Sequence, residues 1–161
     1  MADIWVTSDT HFGHENIIKS CNRPFSNVEE MNEALIKNWN GVVKDGDTVW
    51  HLGDVMMGDR GKMPYILPRL NGKKYLIPGN HDNYTDDLFR HFAKVVHWRA
   101  WKNEGLLFTH VPIHPDGLSF GDPVNVHGHI HGRVLDDPRY RNVCVEQTNY
   151  TPVNFDELRR K

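Results

Sequence analysis

Short clusters of His, Asp and Asn side chains recur along this chain, each close behind an apolar run. In chain order the clusters are Asp9-Thr10-His11, Gly53-Asp54, Gly79-Asn80-His81-Asp82, Thr109-His110 and Gly128-His129-Ile130-His131. The preceding runs are rich in β-branched and aromatic residues, so we predict that each run is a strand and each cluster a following loop. Functional residues concentrate in such loops, where a rigid sheet positions them. The chain is therefore predicted to fold so that these distant groups meet in one site.

The composition is that of an ordinary globular domain. The chain has 161 residues, of which 39% are hydrophobic and 25% are charged. A disordered chain would contain fewer aromatic residues and carry a larger net charge. We predict one domain over residues 1–161, without a cap domain over the site.

The charge balance limits the class of partner. The formal net charge is -2, whereas proteins that follow a long nucleic-acid backbone usually carry a basic surplus. We therefore expect no extended nucleic acid as partner, whereas a nucleotide or another small anionic substrate stays open. No segment approaches membrane-spanning length, so we expect no membrane partner either. The sequence leaves the oligomeric state open.

The two cysteines and the first residues indicate the compartment. Cys21 and Cys144 lie far apart and match no zinc or redox spacing, which favours two buried thiols in a reducing compartment. The start of the chain has Asp3 and a short apolar run instead of a basic region followed by a long apolar one. We predict a cytoplasmic location.

The clearest helix is predicted over residues 27–40, where five apolar side chains share one face. Ser26 and Glu29 are predicted to form its capping box, and Gly41 its C-terminal stop. A short helix is predicted through residues 17–18, another over 63–70 with a break at Pro68, and a last one over 155–160 capped by Asn154. Strands are predicted at residues 3–8, 48–52, 75–77, 95–101, 106–108, 124–126 and 143–145, with 95–101 and 106–108 forming a hairpin.

The residue types in the clusters suit metal ions. Asp, His and Asn offer oxygen and nitrogen donors, which favour divalent ions of intermediate hardness. Asp9 and His11 are two residues apart, so both can face one ion from an extended strand end, and the same holds for His129 and His131. We predict two divalent ions as cofactors, with Mn first and Fe, Zn, Ni or Co as alternatives.

Such a pair of ions accounts for phosphoester chemistry. The carboxylate of Asp54 can bridge two ions, and neutral Asn80 adds a carbonyl oxygen without further negative charge. Two divalent ions, the carboxylates of Asp9 and Asp54 and a bridging hydroxide together leave a net charge of about +1, which attracts phosphate. His81 is the candidate acid for the leaving oxygen, and Asp82 is predicted to orient its imidazole.

The same residues resemble the calcineurin-like metallophosphoesterases over residues 3–131, and are most similar to the small uncapped bacterial and phage members. The opening at residues 8–14 and the loop at residues 22–25 are also similar to those members. The resemblance implies an α/β fold in which two mixed β-sheets form a sandwich flanked by helices. It implies that one ion is held by Asp9, His11, Asp54 and His131. It implies that the second ion is held by Asp54, Asn80, His110 and His129.

The predicted function is hydrolysis of phosphate esters by a metal-bridging hydroxide, with His81 assisting the leaving group. Small phosphodiesters such as cyclic nucleotides are preferred, because a diester's leaving alkoxide gains from an acid. The alternatives are a phosphomonoesterase acting on a nucleotide, sugar phosphate or phosphoprotein, and a non-catalytic scaffold of the same fold. A nuclease is disfavoured by the charge balance and the missing cap.

Other polar residues and three aromatic residues receive separate predictions. Arg23 is predicted to contact a substrate phosphate through its guanidinium, and His14 is a candidate contact either to substrate or to a metal ligand. His127 either supports a metal ligand through its second nitrogen or packs in its strand. Trp39 and Trp50 fall in phase with apolar neighbours and are predicted to belong to the core, as is Tyr75.

Overall fold

The computed structural model describes residues 2–58, 60–119, 121 and 123–159. Within these residues the strands are β1 (Ile4–Thr7), β2 (Thr48–His51), β3 (Lys73–Leu76), β4 (Lys94–Val95), β5 (Arg99–Trp101), β6 (Leu106–Phe108), β7 (Val124–His127), β8 (Tyr140–Asn142) and β9 (Val153–Asn154). The α-helices described there are α1 (Glu15–Ser20), α2 (Val28–Val42), α3 (Met63–Ile66), α4 (Asp86–Phe89) and α5 (Phe155–Leu158). Short 3₁₀ turns connect several of these elements.

The strands form two mixed sheets. The first has the order β4-β3-β2-β1-β9 and the second the order β5-β6-β7-β8. Neighbouring strands run parallel except at β9 and β5, which pair antiparallel with β1 and β6. In the first sheet Val6 pairs with Trp50, which in turn pairs with Tyr75.

Alternation along the strands produces two apolar layers. Val6 and Trp50 face the second sheet and pack in one cluster with Phe108 and Val126. The opposite face of the first sheet, which includes Val49, packs against α2 and the other helices. This arrangement confirms the predicted α/β sandwich of two mixed sheets flanked by helices.

Helix α2 is longer than predicted and capped one residue later. Asn27, rather than Ser26, is the N-cap, and its Oδ1 accepts a hydrogen bond from the Glu30 backbone N–H at 2.8 Å. The Glu30 carboxylate reaches back to the Ser26 N–H at 2.7 Å, so the predicted Ser26–Glu29 box is wrong by one position. The helix also continues through Gly41, because Val43 just beyond it is buried in the core.

The predicted strands at 95–101 and 143–145 are also wrong in part. β4 pairs with β3 whereas β5 pairs with β6, so the chain passes from one sheet to the other between them. The late strand lies earlier than predicted, as β8, because Cys144 instead bridges to Ser8 and the next residues form a 3₁₀ turn. Asn154 caps α5 as predicted, and residue 160 lies outside the described residues.

Neither cysteine forms a disulfide. Cys144 is buried as predicted, but Cys21 is only partly buried. No helix within the described ranges is long and apolar enough to cross a membrane.

Candidate metal centre

Both sheets direct polar loops toward one end of the sandwich. The ligand clusters follow the carboxyl ends of β1, β2, β3, β6 and β7. The structure brings all the predicted ligands together there, and Asp54 lies at their centre. Its Oδ2 is 3.5 Å from His11 Nε2 and also 3.5 Å from His110 Nε2. Its Oδ1 accepts a hydrogen bond from the His81 backbone N–H at 2.9 Å, which leaves Oδ2 facing both imidazole rings.

The first group of donors surrounds Asp9. Asp9 Oδ1 lies 3.8 Å from His11 Nε2 and 3.7 Å from His131 Nε2. Asp9 Oδ1 and His11 Nε2 are buried and have no hydrogen-bond partner within the described part of the chain. Because buried polar atoms nearly always have a partner, a divalent ion between these donors fits the geometry. Donor atoms of Asp9, His11 and Asp54 all lie within 4.8 Å of one another.

The second group of donors surrounds Asn80. Its Oδ1 lies 3.0 Å from His110 Nε2 and 2.9 Å from His129 Nδ1. His110 Nδ1 lies 2.6 Å from the Leu52 carbonyl oxygen and must donate to it, so in the neutral tautomer Nε2 is an acceptor. In that tautomer two acceptor atoms, Nε2 and the amide oxygen, face one another. A cation between them suits this contact, and donor atoms of Asp54, His110 and His129 again lie within 4.8 Å.

The backbone around these donors is unusual. Several of the predicted ligands have positive φ angles, a conformation that L-residues seldom adopt. They are Asp9 (57°), His11 (50°), Asp54 (54°), His129 (70°) and His131 (49°). Such backbone conformations concentrate at functional sites, where the surrounding structure maintains them.

Glycines allow the loops to approach the donors closely. A Cβ added to Gly79 would overlap Asp54 Oδ1, and a Cβ added to Gly128 would overlap Asp9 Oδ2 and Ser8 Oγ. Glycine at these positions therefore provides the space in which the two carboxylates lie.

Sequence comparison identifies the family to which these features belong. The family of calcineurin-like phosphoesterases matches residues 2–160. The chain belongs to this family. It is also 43% identical over 165 residues to the uncharacterised protein MJ1445 of Methanocaldococcus jannaschii, an alignment that covers 97% of this chain and 89% of that protein.

Solved structures share the fold. A protein of unknown function, AQ665 from Aquifex aeolicus, superposes with a TM-score of 0.76 at 27% identity, covering 98% of this chain and 97% of the other. Nuclease MPE of Pseudomonas putida superposes with a TM-score of 0.54 at 19% identity, covering 80% of this chain and 61% of the other. The second likeness concerns the fold alone. Family and donor groups together support a metal-dependent phosphoester hydrolase.

In this calcineurin-like phosphoesterase, several hydrogen-bond donors surround the second carboxylate oxygen of Asp9. Asp9 Oδ2 accepts hydrogen bonds from Ser8 Oγ at 2.5 Å and from the His129 backbone N–H at 2.9 Å, and it lies 3.3 Å from Cys144 Sγ. Burial by itself would raise the pKa of Asp9. Interactions with His11 and the other donors outweigh burial and hold this pKa well below its usual range. Asp9 is therefore ionised, with Oδ1 left for an ion.

Arg23 is buried inside the protein, whereas the sequence predicted that it contacts a substrate phosphate. Its guanidinium donates to the carbonyl oxygens of Asp9 at 2.7 Å and Thr10 at 2.8 Å, and to Glu146 Oε1 at 2.7 and 2.9 Å. The residue is only 4% exposed. Glu146 Oε1 also accepts from His131 Nδ1 at 3.1 Å, which turns His131 Nε2 toward Asp9. The guanidinium thus holds the first loop in place and, through Glu146, helps to orient His131, so its N–H groups are engaged within the protein.

Asp82 has different partners from the one predicted, which was the imidazole of His81. Its Oδ2 accepts hydrogen bonds from the backbone N–H groups of Asp54 at 2.7 Å and Gly79 at 2.9 Å, and its Oδ1 accepts from Val55 at 2.9 Å. Burial raises its pKa, although these hydrogen bonds act in the opposite direction. Asp82 therefore joins the loops after β2 and β3 and does not orient the His81 imidazole.

His14 and His81 lie beside the first donor group. His14 Nδ1 is 3.2 Å from His11 Nδ1, which places it behind a predicted ligand. Burial lowers the pKa of His14, and the neighbouring His11 and His81 lower it further. His81 is exposed, and its ring centre lies 5.6 Å from that of His11. Contact of His14 with substrate stays a prediction.

Two further histidines are buried near the centre. His51 Nδ1 accepts from the Gly53 backbone N–H at 3.1 Å, so Nε2 donates to Thr10 Oγ1 at 2.9 Å. Burial lowers the pKa of His51 to about 3. His127 contacts the Gly128 carbonyl oxygen and the Tyr140 ring, and its Nε2 has no hydrogen-bond partner in the described ranges. Of the two arrangements predicted for His127, the structure shows the one in which His127 packs within its strand.

The buried His51 makes stability depend on pH. The unfolded chain takes up a proton near pH 6.5, whereas the folded chain resists protonation down to about pH 3. Below pH 6.5 the unfolded state therefore binds more protons than the folded state. As the pH is lowered from 6.5 toward 3, the free energy of unfolding falls by up to about 1.4 kcal/mol for each pH unit. A His51→Gln variant is expected to show a shallower slope in urea unfolding between pH 6 and pH 4.

The exposed His114 supplies the control for this measurement, since its side chain is 78% exposed. His114→Gln should leave the slope unchanged. Equal slopes for the wild-type protein and His51→Gln would contradict the assignment of His51 as a buried neutral group.

Proposed function

We propose that this calcineurin-like phosphoesterase hydrolyses small phosphodiesters, with cyclic nucleotides as the preferred class, at a pair of divalent ions. The observation that carries the proposal is the single oxygen of Asp54 that lies 3.5 Å from both His11 and His110. A carboxylate placed between two sets of donors could contribute to two divalent ions at once.

The charge of the donor set supports an anionic substrate. Asp9 and Asp54 are the carboxylates of the two donor groups, and the remaining predicted ligands are His and Asn. Bound divalent ions, with Mn as our first choice, would polarise a phosphoryl oxygen and lower the pKa of a coordinated water. The side chains of Asp9 and Asp54 do not neutralise two such ions, so the site favours phosphate.

His81 is assigned to the leaving group. Its backbone N–H is held by Asp54 Oδ1, while its imidazole is exposed beside His11. An imidazole at this place can donate a proton to the departing alkoxide, the step for which a diester needs most help.

Replacement of His81 tests this role. His81→Ala is expected to reduce kcat by about 10²- to 10⁴-fold, as is typical for loss of a general acid, while the bound metal stays unchanged. Metal content is measured by elemental analysis, and kcat is measured with adenosine 2',3'-cyclic phosphate, whose departing oxygen is an alkoxide. His114→Ala, on an exposed 3₁₀ turn, is the control. Loss of metal from His81→Ala would make His81 a ligand, contrary to the assignment.

A substrate panel tests the function itself. Purified protein is analysed for metal and then assayed with 2',3'- and 3',5'-cyclic nucleotides, monoesters and dinucleoside polyphosphates. Faster hydrolysis of bis(p-nitrophenyl) phosphate than of p-nitrophenyl phosphate supports the diesterase. The reverse ratio would favour the phosphomonoesterase, and no hydrolysis with Mn bound would favour a scaffold.

Partners and location remain proposals. The net charge of -2 supports a small substrate over extended nucleic acid. Two free cysteines, one of them buried beside Asp9, support a reducing compartment and thus the cytoplasm.

A further inference from the structure

A groove of about 670 Å³ lies directly beside the second donor group. Asn80 and His110 line the groove, so the groove and the predicted metal site share two side chains. Tyr84, His97 and Trp98 also line it. A volume of this size is typical of pockets that hold small organic ligands.

The aromatic side chains in the groove are unusually exposed. Tyr84 and Trp98 are each 61% exposed, and Val111 beside them is 44% exposed. Tyr84 is nevertheless positioned by its neighbours, since its ring packs edge-on against Phe89 at 5.9 Å and lies 6.1 Å from His97. Large apolar side chains grouped in this way at a concave surface mark a binding site more often than chance exposure.

The groove lacks charged groups. Its described lining residues include no Asp, Glu, Lys or Arg. The hydroxyl of Thr109 donates to the Val111 carbonyl oxygen at 2.6 Å and accepts from Asn125 Nδ2 at 2.8 Å, so it is already engaged. Away from Asn80 and His110, a phosphate or carboxylate of the occupant would meet no oppositely charged side chain among the described lining residues. The groove therefore favours a neutral, flat and largely apolar group.

We propose that this groove binds the nucleobase of the substrate by stacking on Trp98 and Tyr84. The inference rests on the proposed function, because it identifies which part of a phosphoester lies outside the donor groups. A nucleotide consists of two such parts. Its phosphate would bind at the donor groups, and its neutral aromatic base would bind in the groove. Since Asn80 and His110 border both regions, the two parts of one small molecule can occupy them together.

Kinetics with matched substrates test the groove. Adenosine 2',3'-cyclic phosphate and glycerol 1,2-cyclic phosphate carry the same five-membered cyclic diester, but the second has no base. Trp98→Ala and Tyr84→Ala are each expected to raise KM for the adenosine compound about 5- to 100-fold, the range expected for loss of one stacking partner. KM for the glycerol compound should stay within about twofold.

The control variant is Tyr65→Ala. Tyr65 lies in α3, is 74% exposed and is not among the residues that line the groove. It should alter neither KM. Equal KM for the adenosine compound in all variants, or equal increases for both substrates, would overturn the proposal.

Direct binding separates this inference from the proposed function. Adenosine, which has no phosphate, is titrated into metal-loaded protein and tryptophan emission is recorded, with ribose as the comparison. Saturable quenching by adenosine that Trp98→Ala abolishes supports the groove even if no ester is hydrolysed. Efficient hydrolysis without such quenching, and with unchanged KM in the variants, would retain the hydrolase and exclude the base site.

Discussion

Replacing Asp54 with Asn is expected to reduce phosphoester hydrolysis about 10³-fold or more. The variant keeps the shape of the side chain but removes the charge on the oxygen that lies between His11 and His110. A metal contribution of several kcal/mol to the transition state corresponds to a rate factor of about this size. Metal content should fall below that of the wild-type protein, because both donor groups lose their shared carboxylate.

Asp116→Asn is the matched control. Its carboxylate is 93% exposed in the 3₁₀ turn after β6, and the same chemical change there should alter neither metal content nor rate. Circular dichroism establishes that both variants are folded. An Asp54→Asn enzyme with full metal and near-normal kcat would refute the shared role of this carboxylate.

Replacing Arg23 with Ala is expected to destabilise the fold by about 3–5 kcal/mol, the usual result when one partner of a buried ion pair is removed. Glu146 would then lie buried without its cation, and the carbonyl oxygens of Asp9 and Thr10 would lose their donors. The effect is measured as the change in free energy of urea unfolding at fixed metal concentration. Because the guanidinium faces inward and supports the donor loops, we expect a large decrease in kcat and in metal affinity. The increase in KM for the substrate should be smaller than these decreases.

Arg69→Ala provides the comparison. Arg69 forms an equally short bidentate pair with Glu33, at 2.7 Å for both contacts, but this pair is exposed. Exposed pairs are screened by solvent, so we expect little change in stability. If Arg23→Ala were as stable as Arg69→Ala and only its KM were raised, the guanidinium would instead be a substrate contact, as the sequence first led us to predict.

The convergence of the donor clusters could be predicted from sequence because its signal is local. Each cluster follows an apolar run, and a strand aims the next residues at the sheet edge whatever the rest of the chain does. Asp9, for example, follows Ile4–Thr7, and Asn80 follows Lys73–Leu76. The two-sheet architecture was predicted through the family resemblance. The strands predicted at residues 95–101 and 143–145 were misplaced, because a local apolar run does not show which sheet a segment joins or where its pairing ends.

The supporting contacts could not be predicted for the same reason. Arg23 and Glu146 are 123 positions apart, and neither lies in a pattern that signals burial. Arg23 follows a polar turn, so its chemistry indicated a surface phosphate contact. Tyr84 and Trp98 were likewise overlooked, because only the packing of the loops around them shows that they share a groove with Asn80.

The division of ligands between the sheets has a consequence for how the protein becomes active. Each donor group takes side chains from loops of both sheets: His131 joins Asp9 on one side, and His110 joins Asn80 on the other. Neither half of the sandwich supplies all the side chains of either donor group by itself. Bound ions would therefore cross-link the two sheets. The protein would become catalytically active only at the last stage of folding, once the two sheets have packed together.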